Sequence, residues 1–108
     1  MNPWFALILA GTFEIGFTSF MKLSEGFTKV GYGLGFVACA VASFFFLSVA
    51  TRTIPLGTAY AVWTGIGAAG TALVGILFYK DPASFARVGL LALLILTVIG
   101  LKFVSTET

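Results

Sequence analysis

The stretch WFALILAGTFEIGFTSFM, residues 4–21, decides the fold of this chain because it is long and apolar yet contains one carboxylate, Glu14. As an α-helix it would rise about 27 Å, close to the roughly 30 Å thickness of a bilayer's hydrocarbon core. Glu14 would then lie near the bilayer centre, about 15 Å from Trp4. A charge there costs roughly 2.5 kcal/mol or much more, and membrane proteins keep such groups mainly to bind ions, protons or charged ligands. The stretch therefore predicts a transmembrane helix with a functional carboxylate.

The composition of the whole chain supports a membrane protein. Of its 108 residues, 59% are hydrophobic and 9% are charged, whereas soluble domains average about 25% charged residues. Four apolar segments are long enough to cross the membrane, and they cover approximately residues 4–21, 31–50, 57–78 and 88–104. We therefore expect an all-α, four-transmembrane-helix protein that forms a single membrane domain over residues 1–108.

Several functional classes find no support in the composition. There is no histidine, and the single Cys39 cannot form an intramolecular disulfide; within an apolar run it is better interpreted as a small core residue. No nucleophile–base pair, metal-ligand cluster or phosphate-binding loop is present, so we predict no enzyme activity, metal or cofactor. A net charge of +2 is too small to indicate nucleic-acid binding.

The basic residues give little preference for one membrane orientation. With four spans, the first and third connections share a side, and they carry Lys22, Lys29, Lys80 and Arg87. The opposite side carries Arg52 and Lys102. This weak bias predicts insertion in both orientations. The alternative is one orientation with the first and third connections in the cytoplasm.

Four helices enclose too little space for a central pathway, so we expect an oligomer. One face of the fourth span has helical spacing suited to a dimer seam, and it consists of Gly89, Leu93, Leu96, Thr97 and Gly100. The alternative for this face is ordinary packing within one subunit.

Glu14 has no basic residue in the interior of any predicted span to neutralise it, since every other charged side chain lies at or beyond the span ends. Low dielectric disfavours a lone carboxylate's charged form, so we expect the group to hold a proton until a cation replaces it. Competition between proton and cation for one site is the minimum chemistry of antiport. The alternative is a carboxyl group that is simply hydrogen-bonded within a helix interface.

Polar and aromatic residues at similar depth are candidates for the same site. Tyr60 and Trp63 share a face of the third span and could donate hydrogen bonds to a carboxylate or present ring faces to a cation. They could equally be packing aromatics. Ser43 lies halfway through the second span and is either a ligand or bonded to its own helix. Gly65 and Gly67 suit a hinge or close helix packing.

The chain resembles the small multidrug resistance family over essentially its full length. The motifs that carry the resemblance are FE at 13–14, KLSEGFT at 22–28 and IPLGTAYAVWTGIG at 54–67. The resemblance implies an antiparallel homodimer, dual-topology insertion and proton-coupled export from the bacterial inner membrane. It matches the family's membrane-embedded glutamate to Glu14, and its third-helix aromatics to Tyr60 and Trp63.

Within that family, residues 57–67 look more like the guanidinium-exporter subtype, and Thr64 stands where the multidrug subtype commonly has serine. Ser43 fits the guanidinium subtype's hydrogen-bonding set. Phe17, however, occupies a position where that subtype usually has tryptophan, whose indole N–H donates to the glutamate. Phenylalanine cannot donate, so we expect Phe17 to form an apolar wall and to loosen selectivity. The start of the chain and residues 24–28 resemble the multidrug subtype.

The sequence thus predicts a proton-coupled antiporter that exports guanidinium and substituted guanidinium compounds. Its partners would be a small organic cation, protons, the lipid bilayer and a second copy in an antiparallel homodimer. The first alternative is a polyspecific exporter of quaternary ammonium and lipophilic cations. A non-transporting half of a heterodimeric complex and a simple cation channel are the others.

Overall fold

Four long helices account for nearly all of residues 1–105, which are the residues that the computed structural model describes. They are α1 Pro3–Leu23, α2 Val30–Thr51, α3 Leu56–Phe78 and α4 Phe85–Ser105. Each is long and apolar enough to cross a membrane, and no strand occurs in this part of the chain. The predicted all-α protein with four transmembrane helices is confirmed.

Local chemistry at the connections sets where the helices begin and turn. The side-chain oxygen of Asn2 accepts a hydrogen bond from the backbone N–H of Trp4 at 2.8 Å, and Pro3 occupies the first turn of α1, where its missing N–H costs nothing. After α1, the buried Ser24 Oγ accepts the N–H of Phe27 at 3.0 Å. Gly26 in this connection has φ +73°, a conformation that glycine adopts without strain.

The helices are arranged around α1 and α3. α1 packs against α2 and α3, α3 also packs against α2 and α4, and within residues 1–105 the backbone of α4 approaches only that of α3. Lys22 Nζ lies 5.3 Å from the ring centroid of Tyr79, so the first and third connections lie on the same side. At the opposite end, Lys102 Nζ lies 5.5 Å from the ring centroid of Trp4.

Small residues allow α1 and α3 to approach closely. The core is formed by buried residues of α1, the end of α2, the connection that follows it and α3. They are Ala6, Leu7, Ala10, Ala50, Ile54, Ala59, Val62 and Trp63. Ile66 packs so tightly against Gly11 that a Cβ at that glycine would overlap it, and Ile15 fills the space at Gly70 in the same way. Close backbone approach of this kind replaces the hydrophobic driving force that is missing between helices in lipid.

A buried hydroxyl joins three of the helices. Ser43 of α2 is fully buried; its Oγ donates to the carbonyl oxygen of Ala10 in α1 at 2.6 Å and accepts from Trp63 Nε1 in α3 at 2.9 Å. Ser43 therefore bonds to a neighbouring helix, not to its own backbone. We call Ser43, Ala10 and Trp63 the serine junction.

The face of α4 predicted as a dimer seam is open within one protomer. Gly89, Leu93, Leu96, Thr97 and Gly100 are all exposed. Nothing within 4 Å would meet a Cβ at either glycine, and the Thr97 hydroxyl bonds only to its own helix, at the carbonyl oxygen of Leu93. Dimerisation through this face remains a prediction.

Ser43→Ala should destabilise the protein, because it leaves the buried indole N–H of Trp63 without an acceptor. The expected loss in free energy of unfolding is about 1–2 kcal/mol, measured by titration of mixed micelles with a denaturing detergent. Ser48→Ala, an exposed serine in the same helix, is the matched control and should change little. Equal effects of the two substitutions would contradict a structural role for the serine junction.

Candidate functional site

Glu14 lies where α1 meets α3 and is half-buried. Its carboxyl group faces Gly67 so closely that a Cβ at residue 67 would overlap the carboxyl atoms. Oε1 is buried and has no hydrogen-bond partner among the described residues. Gly67 therefore packs closely against the carboxyl group. At this position α3 leaves room for the carboxyl group but offers it no side-chain hydrogen-bond donor.

No basic side chain of residues 1–105 neutralises Glu14. The only ion pair in this part of the chain joins Lys29 to Glu25 at 3.4 Å, in the connection between α1 and α2. An unpaired carboxylate within a membrane is costly. The arrangement therefore suits a group whose partners arrive from outside the protein, either a proton or a cation.

A pair of threonines fixes the register of α1 and α3 next to the carboxyl group. Thr18 lies one helical turn after Glu14, Thr71 lies one turn after Gly67, and their hydroxyl oxygens are 2.8 Å apart. The Thr18 hydroxyl also lies 3.1 Å from the carbonyl oxygen of Glu14. Thr18 and Thr71 were not among the sequence candidates, although their i+4 spacing from Glu14 and Gly67 was an available signal.

The two aromatic residues predicted beside Glu14, Tyr60 and Trp63, do not donate hydrogen bonds to it within one protomer. Trp63 gives its indole N–H to Ser43. Tyr60 lies one turn before Trp63, with ring centroids 5.8 Å apart, and its side chain is 57% exposed. The structure thus brings together Ser43, Trp63 and Tyr60, and none of the three donates a hydrogen bond to Glu14.

Phe17 is part of a continuous row of aromatic rings. Its ring packs edge-on against Phe36, with centroids 5.6 Å apart, and parallel to Phe44, with centroids 6.5 Å apart. Phe44 in turn lies 5.3 Å from Trp63. The row therefore runs from α2 past Phe17 to Tyr60, and we call these five rings, Phe36, Phe17, Phe44, Trp63 and Tyr60, the aromatic row.

The two α2 members of the aromatic row were not among the sequence candidates. Phe36 and Phe44 are eight residues apart, which places them about 80° apart around the helix, within one broad side of α2. That spacing was the available signal, but the neighbouring Phe45 and Phe46 obscured it. Ring faces of this kind attract cations and pack against apolar substituents.

Gly65, the second candidate hinge residue, lies away from the carboxyl group. A Cβ there would overlap Val98 of α4, so Gly65 allows α4 to pack against α3. Among the described residues no group of acidic, cysteine or histidine side chains could hold a metal ion. The site is therefore one unpaired carboxyl group beside a glycine, with aromatic rings nearby.

Comparison with known proteins gives consistent matches along the chain. The family model described as Small Multidrug Resistance protein matches residues 2–94. A guanidinium exporter of Yersinia pseudotuberculosis is 42% identical over 102 residues, which cover 94% of this chain and 98% of the relative. A guanidinium exporter of Salmonella typhimurium is 44% identical over 99 residues, covering 92% and 94%. The probable guanidinium efflux system subunit GdnD of Bacillus licheniformis is 44% identical over 102 residues, covering 94% and 98%.

Gly67→Ala should weaken cation binding by about tenfold or more, because the new Cβ would displace the Glu14 carboxyl group. Isothermal titration calorimetry of the detergent-solubilised protein with phenylguanidinium measures the effect. Gly57→Ala is the matched control, since a Cβ at this position of α3 meets nothing within 4 Å. Unchanged affinity in Gly67→Ala would show that Gly67 does not shape the site.

Proposed function

This chain belongs to the small multidrug resistance family, and we propose that it exchanges protons for small organic cations. It is a multi-pass protein of the bacterial inner membrane. The family membership indicates a transporter, not an enzyme. Proton coupling, antiport and the substrate class are proposals that go beyond what the family membership indicates.

The observation that carries the proposal is the unpaired Glu14. One carboxylate that meets no donor or cation among the described residues can accept a proton or an organic cation, but not both charges at once. A cation that binds therefore displaces the proton, and a proton that binds displaces the cation. If the site opens to one face of the membrane at a time, this competition couples the two movements.

Guanidinium and substituted guanidinium compounds are the first substrate class. The relatives' names support this class, since they describe guanidinium exporters at 42% and 44% identity. The chemistry is compatible, because a planar guanidinium offers parallel N–H donors that match the two oxygens of a carboxylate. Ser43 and Trp63 would shape the pocket around that pair without taking up the Glu14 oxygens.

The apolar side chain of Phe17 favours a range of cations that is broader than guanidinium compounds. Its ring is one of five in the aromatic row and presents only apolar atoms and a π face. Such a wall discriminates poorly among alkyl and aromatic substituents. Export of quaternary ammonium and lipophilic cations is therefore the second candidate function, and the aromatic row is the observation that favours it.

A second copy would complete the transporter. Glu14 is only half-buried, Tyr60 is exposed, and the seam face of α4 is exposed in the described part of the chain. The weak charge bias between the two sides permits opposite insertion of two copies, so we infer an antiparallel homodimer. The alternative is that this chain forms one half of a heterodimer. The word "subunit" in the name of the Bacillus licheniformis relative is consistent with that alternative.

Purified protein in liposomes should give a proton-coupled current when guanidinium, phenylguanidinium or tetrapropylammonium is added, and Glu14→Gln should abolish it. Glu25→Gln, which changes a carboxylate in the first connection, is the matched control and should transport normally. Retained current with altered selectivity in Glu14→Gln would indicate a channel instead of an exchanger. No current with any of these cations, from a folded dimer, would contradict export and favour a partner-dependent subunit.

Phe17→Trp should narrow the substrate range, because an indole N–H can donate to the neighbouring carboxyl group where a phenyl ring cannot. We expect current with tetrapropylammonium to fall about tenfold or more relative to current with guanidinium. Phe45→Trp, at an exposed position of α2 outside the aromatic row, should leave the ratio unchanged. An equal ratio in the two variants would show that Phe17 does not set selectivity.

A further inference from the structure

A groove separates α1 from α4 on the surface of α3. Both helices pack on α3, and within residues 1–105 the backbones of α1 and α4 do not approach one another, although the side chains of Lys102 and Trp4 meet at one end. The groove has a volume of about 560 Å³. Its walls are almost entirely apolar, with Ile8, Ile66, Leu73, Ile95, Val98 and Ile99 among the lining residues.

The groove has a polar mouth and an apolar deep end. Among residues 1–105, Lys102 is the only charged residue that lines it, and it lies at the mouth with Trp4 and Phe103. Ile15 lies at the deep end, eleven residues along α1 from Trp4, or about 16 Å away. This length is about half the thickness of the hydrocarbon core. The groove therefore reaches from the membrane surface to the bilayer midplane, which is the depth of one lipid leaflet.

The chemistry of the mouth indicates an anionic ligand. Lys102 Nζ lies 5.5 Å from the Trp4 ring centroid and 5.8 Å from the Phe103 ring centroid, so its described neighbours are ring faces. Within residues 1–105 no acidic side chain pairs with Lys102. A lysine near a helix end extends its ammonium group towards the membrane surface, where lipid phosphates lie.

We propose that this groove binds one acyl chain of an anionic phospholipid, whose headgroup phosphate pairs with Lys102. Apolar walls offer water no hydrogen-bond partners, so a hydrocarbon chain is the suitable occupant. The depth of one leaflet fits a single acyl chain. The lone positive charge at the mouth selects an anionic headgroup over a zwitterionic one.

The bound acyl chain would contact α1 and α3, the helices that carry the proposed exchange site, on the face that lines the groove. Ile15 and Ile66 line the groove, and these same side chains pack into Gly70 and Gly11 where α1 meets α3. The lipid would thus support the contact between α1 and α3 on the side opposite the aromatic row. This inference rests on the groove alone and holds whether or not the protein transports cations.

A second copy of the protein is the alternative occupant of the groove. The positions of residues around α4 distinguish a lipid from a second copy. Helical residues follow one another at 100°, so Ile95, Val98 and Lys102 lie on the face of α4 opposite the seam residues Leu93 and Gly100. A dimer formed through the seam therefore leaves the groove open to lipid.

The test uses the purified full-length protein in bilayers with equal amounts of phosphatidylglycerol and phosphatidylcholine that have identical acyl chains. Native mass spectrometry after gentle extraction counts the lipids that remain bound. We expect preferential retention of phosphatidylglycerol, reduced about fivefold by Lys102→Gln. Arg52→Gln makes the same change of charge on the same side of the membrane, outside the groove, and should leave retention unchanged.

A further variant tests the groove itself. Ile99→Trp should fill the groove from its exposed rim and reduce retention of both lipids. Equal retention of the two lipids by the unmodified protein, equal effects of Lys102→Gln and Arg52→Gln, or full retention in Ile99→Trp would each overturn the proposal. So would efficient disulfide cross-linking of Ile95→Cys in a Cys39→Ala background, since it would place a second copy over the groove.

Discussion

The serine junction is the interaction on which the rest of the structure depends. Transmembrane helices satisfy their backbone groups internally and gain no hydrophobic energy from meeting one another in lipid. Their arrangement must therefore come from close contacts of small residues and a few interhelical hydrogen bonds. Ser43 provides two of these bonds, and they tie α2 to Ala10 of α1 and to Trp63 of α3. By holding the Trp63 ring, the junction also sets the position of the aromatic row.

The junction has a second consequence, for the charge of the site. Because the Trp63 indole N–H is taken by Ser43, it is not used on Glu14 in the single protomer. One turn after Trp63 in α3, Gly67 brings this helix against the carboxyl group without offering a side-chain donor. The protein thus orders the surroundings of Glu14 while leaving its oxygens to outside ligands. In our proposal, this separation of structural from exchangeable hydrogen bonds is what allows one carboxyl group to serve proton and cation alternately.

The helices divide these tasks between them. α1 and α3 carry the carboxyl group and its glycine, and the Thr18–Thr71 hydrogen bond holds their register. α2 supplies Ser43 and two rings of the aromatic row. Among the described helices, the backbone of α4 approaches only that of α3, and two other faces of α4 are the predicted seam and the wall of the groove. A peripheral helix of this kind can serve assembly and lipid contact without altering the site directly.

The sequence by itself determined the membrane class, the four helices and the depth of Glu14, because span length and charge position are local properties. It also singled out Ser43, Tyr60 and Trp63 as polar groups at unusual depth. Only the tertiary structure decided that Trp63 bonds to Ser43, that Gly67 faces Glu14, and that Phe36 and Phe44 join Phe17. These pairings depend on which faces of the helices meet. A helix that is apolar on all sides has no polar stripe to mark its outer face, so sequence periodicity leaves its rotation undefined. The rotation follows from the fit of side chains such as Ile15 and Ile66 into glycines of the neighbouring helix.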